Sequence, residues 1–151
     1  MKTVILALLL SGLIIFSGCC GSTVSSAPEK SDPYAQFYGQ EANISSTYSI
    51  TLEKYSERES SDGTKTVTIT FTASNTGTEQ TNIEGALFVT DDKGRNYEAN
   101  PFACSTLINP GLNKKIDCDF YDVPPDAKIV SLRLGDSIME KGKYNKLFDL
   151  Q

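Results

Sequence analysis

The side chains with the most distinctive chemistry in this sequence are its four cysteines, because the chain contains no histidine. Cys19 and Cys20 directly follow an apolar run near the N-terminus, whereas Cys104 and Cys118 lie in the C-terminal half. A thiol can carry a lipid, form a disulfide, attack a substrate or bind a metal, and its surroundings decide which of these it does. The sequence around each pair is therefore the first guide to function.

Residues 1–18 are typical of a signal peptide. Lys2 supplies a positive start, and the apolar run 4–16 would rise about 20 Å as a helix, short of the roughly 30 Å hydrocarbon core of a bilayer. The segment 16–19 (FSGC) then resembles the lipobox of prokaryotic lipoproteins. This resemblance implies cleavage before Cys19 and a lipid on its thiol, which would hold the chain on the outer face of the cell membrane. An uncleaved anchor and an ordinary secreted protein are the alternatives.

Residues 19–41 are predicted to form a flexible linker, since they are rich in Ser, Gly and Pro and lack a sustained period. About twenty such residues would reach roughly 25 Å. An aromatic cluster around Tyr34, Phe37 and Tyr38 either docks on the following domain or forms a short helix. Asn43 begins an Asn-Ile-Ser sequon at the boundary and is a candidate for glycosylation.

Residues 42–151 are predicted to fold as one all-β domain. Apolar and polar residues alternate in the segments 48–52, 64–73 and 115–121, as in strands with one buried face. Turn-forming Asn, Gly or Pro residues separate these segments, and no convincing amphipathic helix is present. Six or seven short strands in this arrangement favour an antiparallel β-sandwich.

The order of strands and turns also resembles a known family. The segments that carry the resemblance combine turn motifs with short apolar strands, and they are 73–77 (ASNTG), 87–97 (LFVTDDKGRNY), 107–111 (LINPG), 120–124 (FYDVP) and 132–134 (LRL). They are similar to the immunoglobulin-like domain of many bacterial and archaeal lipoproteins, a family of unknown function related in fold to a mycobacterial immunoprotective extracellular antigen. The resemblance implies an immunoglobulin-like sandwich outside the cytoplasm, but no ligand or reaction.

Cys104 and Cys118 are predicted to form a disulfide, because both belong to a domain expected to be exported and they flank the turn at 109–111. Closing a loop of about 15 residues would stabilise the fold by roughly 3 kcal/mol. Two buried free thiols are the alternative. A closed zinc site is not expected, because it needs four ligands and the chain has no histidine.

Two groups of side chains offer oxygen ligands for Ca²⁺, but neither has the spacing of a known calcium loop. These groups are Asp91, Asp92 and Asn96, and Asp117, Asp119 and Asp122. We interpret them as solvated turn carboxylates and predict no metal site and no cofactor.

Charge and motif content narrow the functional classes. A net charge of -5 argues against a nucleic-acid partner, because binding to phosphates needs clustered Lys and Arg. Histidine-dependent triads are excluded, and no nucleophile or phosphate-binding motif stands out. The sequence therefore favours a non-catalytic binding module, anchored through Cys19, that contacts an envelope or extracellular protein or glycan. A structural or stress-related envelope protein without a dedicated ligand is the second hypothesis.

Overall fold

The computed structural model describes residues 32–83, 86–135 and 144–151, which form a β-sandwich of two antiparallel sheets. The predicted signal peptide, Cys19 and most of the linker lie outside the described residues. The strands are β1 (Glu41–Asn43), β2 (Tyr48–Glu59), β3 (Lys65–Asn75), β4 (Ala86–Asp91), β5 (Asn96–Glu98), β6 (Asn113–Val123), β7 (Ile129–Gly135) and β8 (Tyr144–Asp149). One sheet has the order β1-β2-β3-β6 and the other β5-β4-β7-β8. The prediction of an all-β antiparallel sandwich is confirmed.

Strand β3 forms the centre of the first sheet and supplies much of the core. Its alternating side chains Val67, Ile69, Phe71 and Ala73 are fully buried, as the sequence predicts. The ring of Phe71 stacks on that of Phe148 in the opposite sheet, with centroids 6.3 Å apart. Each fully buried large apolar side chain stabilises the fold by about 1.5–3 kcal/mol. These contacts join the two sheets into one core.

Strand β2 is longer than predicted. Alternation predicts a strand only over 48–52, yet β2 pairs with β3 as far as Glu59. A register shift between Leu52 and Lys54 places Tyr55 in the core, where alternation would have placed Lys54. A bulge inserts one extra residue, so the side chains after it point to the opposite face from the one that alternation predicts. The alternating pattern therefore fails after Leu52.

Strands β4 and β5 form an antiparallel hairpin. The C-terminal tail adds β8 to the edge of the second sheet, next to β7. Phe148 and Leu150 of the tail are buried, and Leu147 packs against the core. These three residues of the tail therefore belong to the packed domain.

The aromatic cluster of the predicted linker both forms a 3₁₀ helix, Ala35–Phe37, and packs on the domain. The ring of Tyr34 lies 3.9 Å from that of Tyr55, and its hydroxyl donates to the carbonyl of Ile129 at 3.0 Å. Burial raises the pKa of Tyr34, so this hydroxyl keeps its proton at neutral pH. The packed fold thus includes residues that the sequence analysis assigned to the linker.

Candidate interaction surface

The candidate site is the segment 99–121, which we call the stapled segment. It leaves the second sheet after β5 and passes along the outer edge of the first sheet. It then forms β6, the edge strand of that first sheet. Ala99 pairs with Phe120, and the Asn100 amide donates to the carbonyl of Asp119 at 2.8 Å. A single helical turn, α1 (Pro101–Cys104), packs against β6. The segment therefore covers part of the edge that β6 would otherwise present to solvent.

Cys104 and Cys118 hold this segment at its centre. Their Cα atoms are 4.9 Å apart, so the two cysteines lie at disulfide distance. Cys118 is on β6, whereas Cys104 ends α1 and does not lie on a facing strand. Pro101 opens the helical turn, and the Asn100 side chain caps it by accepting from the Phe102 amide at 3.1 Å. The turn is thus fixed at both ends.

The stapled segment carries exposed apolar side chains. Among the described residues, all four large hydrophobic side chains that are exposed lie within it, and they are Phe102 at 93%, Leu107 at 59%, Leu112 at 55% and Tyr121 at 44%. Scattered single apolar residues are normal on a protein surface, but three of these four, Phe102, Leu107 and Leu112, lie within eleven residues of one another, whereas Tyr121 lies near the far end of β6.

Charge is distributed unevenly along the same segment. Residues 99–113 contain no charged side chain, and the exposed pair Lys114 and Lys115 follows at once. Depletion of charge at the centre of a surface, with aromatic residues in the centre and polar residues at the rim, is typical of protein interfaces. The positive pair contrasts with the net negative charge of the whole chain.

The loop that carries Leu107 and Leu112 is anchored by the buried side chain of Asn75, at the end of β3. The Asn75 side-chain amide nitrogen donates to the carbonyls of Glu79 at 2.8 Å and Ile108 at 2.9 Å, and its oxygen accepts from the Gly77 amide at 2.9 Å. One side chain thus connects the loops 76–82 and 105–112.

Backbone contacts complete this support. Thr81 and Ile108 exchange two hydrogen bonds, at 3.1 and 2.7 Å, and the Gln80 side chain donates to that of Asn109 at 2.8 Å. The Asn75 amide also donates to the carbonyl of Leu112 at 3.1 Å. The exposed leucines therefore stand on a preformed scaffold, which reduces the entropy that binding would cost.

The chain enters the described fold far from this loop. Tyr34 contacts the first residue of β7. The loop 105–112, which we call the leucine loop, contacts the end of β3. The sheet order also places β1 and β6 at opposite edges. Tyr34 also contacts Tyr55, which pairs with Ile69 of β3, six residues or about 20 Å from Asn75.

Asp91 is not the solvated turn carboxylate that the sequence predicts, because it is only 1% exposed. One of its oxygens accepts from the backbone amides of Lys93 and Arg95, and the other from the Arg95 Nε at 2.6 Å and the Tyr97 hydroxyl at 3.0 Å. Loss of hydration acts to raise the pKa of Asp91, but these donors outweigh it and hold the pKa below its ordinary value of 3.8. Asp91 thus organises the β4–β5 hairpin.

This lowered pKa predicts a pH-dependent contribution to stability. Ionised Asp91 stabilises the fold at every pH above its unfolded pKa of about 3.9, and the contribution is lost as the pH falls through the lower folded pKa. Replacing Asp91 by Asn should cost about 2 kcal/mol at pH 7, because the charged acceptor of Arg95 disappears. Urea unfolding of the wild type and of Asp91→Asn from pH 7 to pH 2.5 should show the difference in their free energies of unfolding shrinking below about pH 4. A gap that stayed constant to pH 2.5 would contradict the assignment.

The other candidate calcium ligands are engaged with neighbouring strands or lie apart. Asp117 and Asp119 each accept a hydrogen bond at 2.6 Å, from Thr70 and Thr68 respectively, directly across the β3–β6 pair. Over the residues that the structure describes, no three Asp, Glu or Cys side chains are arranged to hold a metal ion. Nor does that part of the chain contain a helix long and apolar enough to cross a bilayer.

Asn43, the candidate glycosylation site, lies on β1 and is exposed. It pairs with Ser49 of β2 at the edge of the first sheet, opposite the edge formed by β6. The structure therefore separates Asn43 from the stapled segment.

Comparison with known proteins adds fold neighbours. No family profile and no curated protein matches the chain. It is similar to an uncharacterised β-sandwich protein from Clostridium difficile, with 16% sequence identity, a TM-score of 0.48, and coverage of 71% of this chain and 87% of that one. It is also similar to a conserved hypothetical protein from Bacillus anthracis, with 10% identity, a TM-score of 0.44, and coverage of 76% and 100%.

Sequence reasoning identified the cysteine pair but missed the apolar surface around it. Phe102, Leu107 and Leu112 were not singled out, since an apolar residue outside a clear strand has no predictable exposure. The available signal was the uncharged stretch 99–113, in a chain whose charged residues make up 22% of the total. Asn75 was predicted only as a turn residue.

Proposed function

We propose that the chain is a membrane-anchored lipoprotein, processed before Cys19, whose immunoglobulin-like domain works outside the cytoplasm as a non-catalytic recognition module. Its contact surface is the stapled segment. The observation that carries this proposal is the confinement of the exposed large apolar side chains, among the described residues, to the stretch from Phe102 to Tyr121.

The chemistry of this surface favours a protein partner. Phe102 on a capped helical turn and two leucines on a hydrogen-bonded loop are suited to fill apolar pockets, which is how interface hot spots gain most of their energy. Lys114 and Lys115 beside them are complementary to an acidic rim around such pockets. The partner we propose is therefore an envelope or extracellular protein with an apolar pocket bordered by Asp or Glu.

The position of the surface supports the same reading. A lipid on Cys19 would hold the domain by the chain that enters at Asp32, in the half of the sandwich near the start of β7. The leucine loop lies at the Asn75 end of β3, and on this proposal it is presented away from the membrane. This geometry favours a partner in the surrounding space over the bilayer that holds the anchor.

A site-specific photo-crosslinker tests this proposal in the native membrane. Placed at position 102, it should give a discrete adduct, whereas the same group at exposed Ser61, in the β2–β3 turn, should not. Excess soluble domain should compete with adduct formation. Changing Leu107 and Leu112 together to Ser should lower the yield roughly tenfold or more, because each apolar anchor at an interface centre is worth over 1 kcal/mol.

Equal and diffuse labelling from both positions, unaffected by competitor, would reject a dedicated partner. It would favour the second function, a structural or stress-related envelope protein without a ligand. Adducts to lipid alone from position 102 would show that the surface rests on the bilayer and would overturn the proposed orientation.

A further inference from the structure

The edge strand β1 presents an acceptor motif on its outward side. Exposure alternates along the segment 41–45, where Glu41, Asn43 and Ser45 are exposed and Ala42 and Ile44 pack against the core. Asn43 ends β1, and Ile44 and Ser45 lie in the bend that follows it. Asn43 and Ser45, the two residues that define an N-glycosylation sequon, therefore face solvent together.

The motif is both unique in the chain and held in a defined shape. Asn43 is the only Asn in the sequence that is followed two residues later by Ser or Thr. The amides of Ile44 and Ser45 both donate to the carbonyl of Tyr48, at 2.9 and 3.1 Å. The Ser45 hydroxyl oxygen accepts from the Thr47 amide at 3.3 Å, which leaves its proton free to donate.

We propose that Asn43 carries an N-linked oligosaccharide in the exported protein. This inference rests on the proposed export, because the donor is a lipid-pyrophosphate-linked oligosaccharide used by a membrane transferase on the outer side. The Asn43 amide nitrogen forms a bond to the anomeric carbon of the sugar, and the bond from that carbon to the pyrophosphate oxygen breaks. The lipid pyrophosphate leaves with the bonding electrons, and one amide proton passes to a basic group of the transferase.

The position of Asn43 is compatible with the recognition surface. Strand β1 and strand β6 form opposite edges of the first sheet, so a glycan on Asn43 leaves the stapled segment open. A bulky polar group on an edge strand also hinders pairing with strands of other chains. The modification would thus protect one edge of the sandwich while the other edge engages its partner.

Peptide mapping of the full chain, purified from native membranes, tests the inference. Trypsin cleavage after Lys30 and Lys54 releases residues 31–54, which contain the sequon. We expect this peptide to gain mass in whole sugar residues in the wild type and in the matched control Ser46→Ala. The gain should be lost in Asn43→Gln and in Ser45→Ala, which leave the core untouched. A gain that survives in Ser45→Ala would place the modification elsewhere and overturn the inference.

The same digest separates failure of this inference from failure of the proposed function. An acylated Cys19 together with an unmodified 31–54 peptide would overturn the glycan and leave the lipoprotein standing. An intact, unprocessed N-terminus with an unmodified peptide would overturn both.

Discussion

Replacing Asn75 by Asp should lower the free energy of unfolding by about 3–5 kcal/mol at pH 7, because it buries a charge that only the Gly77 amide would partner. Asn75 is 1% exposed, and its amide nitrogen donates to the carbonyls of Glu79 and Ile108. An ionised carboxylate in the same place would point oxygen at both carbonyls and donate to neither. Urea unfolding of the chain from residue 21 onward measures the loss.

The pH dependence of this variant gives a second readout. Burial next to two carbonyls raises the pKa of an introduced carboxyl group, so the protonated form restores one donor at low pH. The loss should therefore be smaller at pH 4 than at pH 7. Asn109→Asp is the matched control, because Asn109 is exposed in the same loop region and accepts from Gln80. Equal losses at the two positions would show that the Asn75 contacts do not support the loops.

Removing the cysteine pair should have the next largest effect. Changing both Cys104 and Cys118 to Ala should cost about 3 kcal/mol, because the unfolded chain regains the freedom of a loop of about 15 residues. In a domain of this size that corresponds to a fall of about 10–15 °C in Tm. Both sulfur atoms are buried, so Ala avoids the unpaired hydroxyl that Ser would introduce.

Reductant supplies the control for this prediction. Wild-type protein refolded with reductant should show the Tm of the double variant, and the double variant should not respond to reductant at all. Loss of the Cys104–Cys118 bond should also weaken crosslinking from position 102, since α1 would no longer be held against β6. A wild-type Tm that reductant leaves unchanged would show that the two cysteines are not bonded in solution.

The strands were predictable wherever one face is buried and the other is polar. Strand β3 shows this directly between residues 67 and 73, where the inward residues are all apolar and Thr alternates with them. The buried face of a strand could not be predicted beyond a point where the pairing becomes irregular, as at the bulge after Leu52. Strand β1 was missed because it contains three residues, too few for alternation to be recognised.

The candidate site depended more on tertiary contacts. The sequence indicated that Cys104 and Cys118 should be paired, since their compartment and spacing favour it. It did not indicate that Asp91 would be buried. The four hydrogen-bond donors that replace water around its carboxylate are brought together only when the β4–β5 hairpin forms. Likewise, Phe102 is exposed because Asn100 caps the start of α1 and Cys104, at its end, is held beside Cys118 of β6. The local sequence pattern does not reveal this tertiary contact.

The intact mass of the native protein would show whether this domain acts outside the cytoplasm on a lipid tether. The measurement compares the wild type with Cys19→Ala, each purified after separation of membrane and soluble fractions. The wild type should be in the membrane fraction, with the mass of the chain from Cys19 onward plus lipid, while Cys19→Ala should lack the lipid. A wild-type protein that retains residues 1–18, carries no lipid and lies in the soluble fraction would contradict the account.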